Sequence, residues 1–461
     1  MTGFFRHISR FILAALCASG LVACRADHPD GTASRDRHLL VLHIRPVDTR
    51  AAAEPESVTE RIKSLRIIVL GKDDAGNYTS VEYNKAIRPG DFVASSFSYE
   101  VTLPTTAGKK DIYLIANEES VTSLLQYEPE EGTTLPAEQS VSFPELMKQF
   151  GIEEDGTENG SLFPNTAPQP DPGAFASLLR SVHFAPAYTA DENDAVYLPY
   201  ASSYHDLEAK KEQVNEMTLY LVPVATKFEF NFINYRPHDV EVQGISVSSV
   251  HSDNFLLARV GGDDVTKEFD TASLYWVDWL AKVSEASQLY PGSSSNSNFN
   301  SRYGWIFDYT IPSDNNADIA IFVSTDPSDT KADIKEVCEI PKGSKNGEEE
   351  IASRLTVGPF YRPESRHEVT VRDENGKDVE TVATEQRYTL TLHLHDKTQK
   401  EEDDPIFEDV VIENLRALFR STRVVINVTL RQGNVEVYAE IAPWNKKKAN
   451  GWVIEGEEPR P

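Results

Sequence analysis

The sequence predicts an all-β protein of two tandem β-sandwiches with a few short helices. Three observations carry that expectation. Apolar and polar residues alternate over several short runs, most cleanly at 388–395, 424–430 and 435–441. Turn residues are frequent, with 26 Pro and 24 Gly among 461 residues. The hydrophobic fraction of 40%, one quarter of it aromatic, suffices for packed cores, and the length suits several domains of roughly 100–200 residues each.

Taken in order, the elements begin at His38-Leu39-Leu40-Val41-Leu42-His43-Ile44, a strand apolar on both faces that must fill a core slot. Ser57 and Glu60 have capping-box spacing and predict two helical turns. A strand over Leu65, Ile67 and Val69 ends at the turn 72–77, and another covers Ile112, Leu114 and Ala116. The stretch 120–215 mixes acidic and Gly/Pro clusters with short helical pieces.

A second block opens near 217. Phe228, Phe230 and Phe232 share one face opposite Lys227, Glu229 and Asn231, as a half-buried strand would arrange them. Val240, Val242, Ile245 and Val247 continue the pattern, and 284–302 reads as a long surface loop. Near the end, Tyr388, Leu390, Leu392 and Leu394 oppose Thr389, Thr391, His393 and His395. Val424, Ile426, Val428 and Leu430 precede a turn at 432–434, after which Val435, Val437, Ala439 and Ile441 oppose Glu436, Tyr438 and Glu440. The body divides into 51–218 and 219–461, with a polar tail from Asn445.

The formal net charge is −28, which would repel nucleic acid and suits a protein in extracellular surroundings. Residues 1–23 read as an export signal: Arg6 and Arg10 precede an apolar stretch too short to span a bilayer. Leu21-Val22-Ala23-Cys24 has the form of a bacterial lipobox, in which Cys24 is diacylated and becomes the new N-terminus. The alternative is plain secretory cleavage after Ala23. Two or more acyl chains make a stable anchor where one is marginal. Cys17 and Cys24 both lie in or at the leader, so Cys338 is left alone in the body and no internal disulfide framework can form.

Enzyme chemistry finds no foothold: G-x-S-x-G, Walker, H-E-x-x-H and C-x-x-C patterns are all missing, so no enzyme, cofactor or metal is expected. His393 and His395 share a strand face without a third ligand in view, which reads as a solvated face. Asp373–Asp378 lacks EF-hand spacing, and its Asn375-Gly376 reads as a hairpin turn. The acidic runs 348–350 and 401–404 read as solvated loops. Acidic neighbours should raise the Cys338 thiol and leave it a poor nucleophile.

One position invites chemistry done to the chain rather than by it. Arg50 precedes Ala51-Ala52-Ala53 in a linker, where an arginine-specific protease could cut, whereas Pro46 shields Arg45. On local sequence alone, Arg50 is more simply an ordinary surface arginine.

The order of these features resembles the Bacteroidales fimbrillins, the subunits of type V fimbriae. The residues that carry the resemblance are Cys24, the strand 38–44 and Arg50-Ala51, then ERIKSLRIIVL at 60–70 and GKKDIYLIANE at 108–118. LYLVPVATKFEFNFIN at 219–234, FYRPES at 360–365 and LFRSTRVVINVTLRQGNVEVYAEIAPW at 418–444 complete the series. The resemblance implies transthyretin-like sandwiches and an outer-membrane lipoprotein precursor whose propeptide spans 24–50. A surface protease specific for arginine would cut after Arg50 and release the strand 38–44. The groove so opened would accept a strand from another fimbrial subunit, of the same or a different kind, building a filament at the cell surface that supports adhesion. Arg50 weighs against an anchor subunit that keeps its lipid.

Leu40, Leu42 and Ile44 are the expected inward row of the removable strand, because their row has its polar member, His38, at the strand edge. The removed part holds seven basic and four acidic residues, so the remainder, with 38 and 69, has net charge −31. The tail 445–461 is polar, and donor side chains would come from 435–441 if the terminal hairpin opens. The second reading is a surface lipoprotein that stays anchored and binds glycans or a host protein through Tyr275, Trp276, Trp279, Tyr290, Tyr303 and Trp305.

Overall fold

The computed structural model describes residues 38–46, 58–87, 99–125, 139–149, 171–185, 197–211, 214–251, 254–257, 318–347, 349–364, 368–372, 378–383, 388–398, 406–412, 415, 418 and 420–443. Among them the protein is all-β, with two helices, Phe143–Gln149 and Pro172–Ser181, and short 3-10 turns.

The first set of strands is β1 (His38–Pro46), β2 (Leu65–Lys72), β3 (Tyr78–Ile87), β4 (Tyr99–Thr105), β5 (Gly108–Ala116), β6 (Thr122–Leu125), β7 (Gln139–Ser142), β8 (His183–Phe184), β9 (Tyr200–Ala209) and β10 (Val214–Leu221). They form a sheet in the order β3-β2-β5-β9 and a three-stranded sheet in the order β10-β1-β4. One core joins these two sheets: Leu40, Leu42 and Ile44 of β1 meet Leu65, Ile67 and Val69 of β2 and Ile112 and Leu114 of β5. The opposite face of β2 and β5 is buried as well. There Ile68, Leu70, Tyr113 and Ile115 pack on Phe143 and Met147 of one helix and Phe175 and Leu179 of the other. Strands covered on both faces read as continuous apolar runs, which is what IIVL at 67–70 and IYLIA at 112–116 are.

The second set is β11 (Thr226–Asn234), β12 (Val240–Val250), β13 (Asn254–Phe255), β14 (Asp318–Ser324), β15 (Cys338–Ile340), β16 (Ser344–Asn346), β17 (Glu349–Ile351), β18 (Ser353–Arg362), β19 (Glu368–Arg372), β20 (Asp378–Ala383), β21 (Thr389–Asp396), β22 (Ile406–Val411), β23 (Thr422–Arg431) and β24 (Asn434–Pro443). Sheets β18-β11-β23-β24 and β14-β12-β21-β22 share a core centred on Phe228, Phe230, Phe322 and Phe360, with Leu390, Leu392, Val424 and Ile426. β13 leaves this sandwich and joins β8, β6 and β7 in a small sheet beside the first. The core between the first two sheets thus draws on residues from Leu40 to Ala225 with Tyr361 added, and the aromatic core draws on residues from Phe228 to Ala439. The division expected between 218 and 219 falls inside β10, whose whole length pairs with β1.

Several expectations are revised. Ser57–Glu60 was expected to start two helical turns, but Val58–Glu60 is a single 3-10 turn. Glu60 does not cap: its Oε1 accepts from Lys227 Nζ at 2.7 Å and from the Tyr361 hydroxyl at 2.9 Å. β11 is not half-buried, because Lys227 is 0% exposed and Glu229 4%. Each charge on that face has an opposite one, Lys227 with Glu60 and Glu229 with Arg423. Glu349 and Glu350 lie on an exposed hairpin strand, β17, rather than a loop. Val240 and Val242 face the same core as Ile245 and Val247 because a bulge between Val242 and Gly244 shifts the alternation by one residue. Gly244 permits this, since a Cβ there would meet the His393 ring at 2.9 Å.

Candidate functional site

β1 is the middle strand of its sheet. It runs parallel to β10, with Leu39–Pro46 matched to Val214–Leu221, and antiparallel to β4, with His38–Ile44 matched to Thr105–Tyr99. Both of its hydrogen-bonding edges are therefore used. Taking β1 away would leave a slot one strand wide, bounded by two unpaired edges, over an open core.

The structure places Leu40, Leu42 and Ile44 on the inward face, each fully buried. Leu39 lies outward and is 48% exposed, while Val41 and His43 are half-buried and Arg45 is exposed. His38, on the inward row, is buried at the end of the strand. Burying three such aliphatic side chains contributes about 1.5–3 kcal/mol each. Each ladder hydrogen bond adds about 0.5–1.5 kcal/mol net. On the outer face, His43 Nδ1 lies 3.6 Å from Glu100 Oε2, its register partner on β4.

The chain after β1 is anchored again at Thr59. Leu198 N–H donates to Thr59 O at 2.7 Å, and the Tyr200 hydroxyl donates to Glu60 O at 2.8 Å. Burial, together with the Glu60 charge, pushes the Tyr200 phenol well up, so it stays a donor. Asn117, at φ 55°, donates to Arg61 O and Leu198 O and accepts from Lys63 N–H. Residues 47–57 are thus the covalent link between two fixed points. One is Pro46 beside Leu221; the other is Glu60 on Lys227, just before and just after the junction at Ala225.

A second polar cluster lies under the helix Pro172–Ser181. Asp111, fully buried, meets Lys72 Nζ at 2.6 Å, His205 Nδ1 at 2.7 Å and the Tyr78 hydroxyl at 2.6 Å, while Arg180 donates to Tyr78. Burial acts to raise the Asp111 carboxyl, but His205, Lys72 and Tyr78 outweigh it and hold it well below the usual carboxylate range. Burial raises the Tyr78 phenol strongly and pushes Tyr113 up to about 12. The cluster is closed on itself and fastens the helix to β3 and β5.

His395 lies against Glu241 on the outer face of β12 and β21, and His393 lies over Gly244. Among the described residues no group of three or more His, Cys, Asp or Glu could hold a metal ion. Burial first, and Glu336 second, raise the Cys338 thiol. β19 and β20 pair across the Asn375-Gly376 segment, with 373–377 themselves outside the described residues. Also outside them are Cys24, Arg50, Ala51, the tail 445–461 and the aromatic residues from Tyr275 to Trp305.

Sequence reasoning missed the buried ion pairs Arg66–Glu118, Lys110–Glu82 and Arg420–Glu364. Arg420 also donates to Leu256 O at 3.0 Å and Phe255 O at 2.7 Å, tying the small sheet to the second sandwich. The signal available was a basic residue within an apolar run, as in LRIIVL.

No protein-family model and no curated protein sequence matches the chain. Among solved structures it is similar to the tip fimbrial protein Mfa3 from Porphyromonas gingivalis with C-terminal truncation, at 11% identity and TM-score 0.41 over 88% of this chain and 100% of that one. It is also similar to a fimbrial assembly protein from Parabacteroides distasonis, at 11% identity and TM-score 0.37 over 88% of this chain and 98% of that one.

Proposed function

We propose that the chain is a structural subunit of cell-surface fimbriae that assembles by strand exchange and supports adhesion. It is exported as an outer-membrane lipoprotein precursor, acylated at Cys24 after removal of 1–23, and cut after Arg50 by an arginine-specific surface protease. The partners are other fimbrial subunits. The observation that supports this reading best is the position of β1. The first described strand of the chain fills the middle of a sheet, with three wholly buried side chains, and only residues 47–57 connect it to the rest. Cutting that link leaves β1 held by non-covalent contacts alone, so a competing strand can take its place. Head-to-tail repetition of such a contact does not close and gives a filament.

The experiment compares wild type with Arg50→Ala after treatment with an arginine-specific protease, in the presence of the other subunits. Wild type should lose residues 24–50 and form heat-resistant ladders on gels and fibres in electron micrographs. Arg50→Ala should stay a folded monomer. Equal polymerisation of both, or a cleaved wild type that remains monomeric, refutes strand exchange and favours the anchored binder.

A further inference from the structure

The outer face of the sheet β10-β1-β4 carries carboxylates that the buried face lacks. The register sets Val41 between Thr102 on β4 and Glu216 on β10, and His43 between Glu100 and Thr218. Glu100 and Glu216 are exposed, and β4 and β10 contain no Lys or Arg. The strand that occupies the slot is complementary. It has no acidic residue, sets His43 against Glu100 and continues outward to an exposed Arg45.

We infer that the slot vacated by β1 selects a strand from a different protein, apolar at three alternate positions and with Lys or Arg on its outward row, and rejects this chain's own β24. The inference rests on the strand-exchange reading and names the partner's chemistry. β24 has one apolar row, Val435, Val437, Ala439 and Ile441, so Glu436, Tyr438 and Glu440 would face outward. Running as β1 does, it can seat three apolar residues at the places of Leu40, Leu42 and Ile44 in two registers. One register sets Glu440 at the place of His43, against Glu100; the other sets Glu436 at the place of Val41, against Glu216. Reversing the strand exchanges the collisions: Glu440 meets Glu216, or Glu436 meets Glu100. All four arrangements oppose like charges directly across a ladder, which is destabilising. β24 is also engaged where it is, with Val435 and Val437 packed on the second core and Ala439 2% exposed. The tail 445–461 offers no three alternate apolar residues.

The test uses the full-length precursor cut after Arg50 and measures fluorescence anisotropy of labelled peptides competing with the resident strand. The peptides are 38–46, its Val41→Lys and Val41→Glu forms, 434–443, and 434–443 with Glu436→Lys and Glu440→Lys. The Lys form of 38–46 should bind about 3- to 10-fold more tightly than the Glu form at low salt. That ratio should shrink toward one in 1 M salt and in the Glu100→Gln, Glu216→Gln protein. The double-Lys form of 434–443 should likewise bind about 3- to 10-fold more tightly than the unmodified peptide, which should compete less well than 38–46. Equal binding of the Lys and Glu forms, or 434–443 binding as well as 38–46, overturns the inference while leaving strand exchange standing. If no peptide enters, the 38–46 sequence included, both readings fall together.

Discussion

Shortening Leu42 to alanine separates a removable strand from an ordinary core strand. Leu42 is the central inward residue of β1, fully buried between its register partners Met217 and Val101, within the cluster of Leu65, Ile67 and Leu114. A Leu→Ala change at such a site costs about 2–5 kcal/mol. In the uncut precursor this should appear as a loss of stability of that size, read from urea unfolding of the first sandwich by circular dichroism. After cleavage the same free energy acts on strand affinity, weakening it by about 30- to several-thousand-fold. Leu42→Ala should therefore destabilise the precursor yet accelerate release of the cut fragment and strand uptake. Leu39→Ala, at a position 48% exposed, should change both within about 0.5 kcal/mol. Equal effects at the two positions, or slower uptake in Leu42→Ala, would refute the reasoning.

Three further outcomes are expected. Glu60→Gln alone strands the buried Lys227 charge and should cost about 3–5 kcal/mol, and most of this should return in the Glu60→Gln, Lys227→Met double variant, measured as a double-mutant cycle. The depressed Asp111 carboxyl contributes stability that is fully present above its unfolded value near 3.8 and is lost as pH falls below it toward the folded value. Asp111→Asn should accordingly lower stability at neutral pH and flatten the acid limb of a pH titration of unfolding. Cys338, raised by burial and Glu336, should react with iodoacetamide at pH 7 more slowly than a free thiol, and unfolding should restore the ordinary rate.

Much of the sandwich core was legible, because where one face is buried the alternation period directly names the inward row. Tyr388, Leu390, Leu392 and Leu394 are all fully buried, as are Val424, Ile426, Val428 and Leu430. In β1 the period leaves two candidate rows, and the polar edge residue His38 distinguishes them. What was not legible depends on distant partners. Lys227 and Glu229 looked like a solvated face because nothing local announces Glu60, 167 residues away, or Arg423, 194 away. The capping-box reading of Glu60 failed for the same reason: its carboxylate serves a long-range ion pair with Lys227 instead of a local backbone hydrogen bond. The limits of β10 were hidden because the run LYLVPVA at 219–225 is apolar throughout, and only the brief break at residues 222–225 separates one sandwich's strand from the other's.

That short break has a mechanical consequence. Among the described strands, two ladders are parallel, β1 with β10 and β11 with β23, and β10 runs through residues 222–225 into β11. Any strand seated in the place of β1 is hydrogen-bonded to β10, so a pull along it passes down one covalent path into an interior strand of the second sandwich. Tension directed along strand axes loads each ladder in shear, and its bonds resist together instead of opening one after another from an end. In a filament of the proposed kind, the linkage from neighbour to neighbour would thus bear load as a chain of rungs stressed at once, with the Lys227–Glu60 pair at the point where one sandwich hands the force to the next.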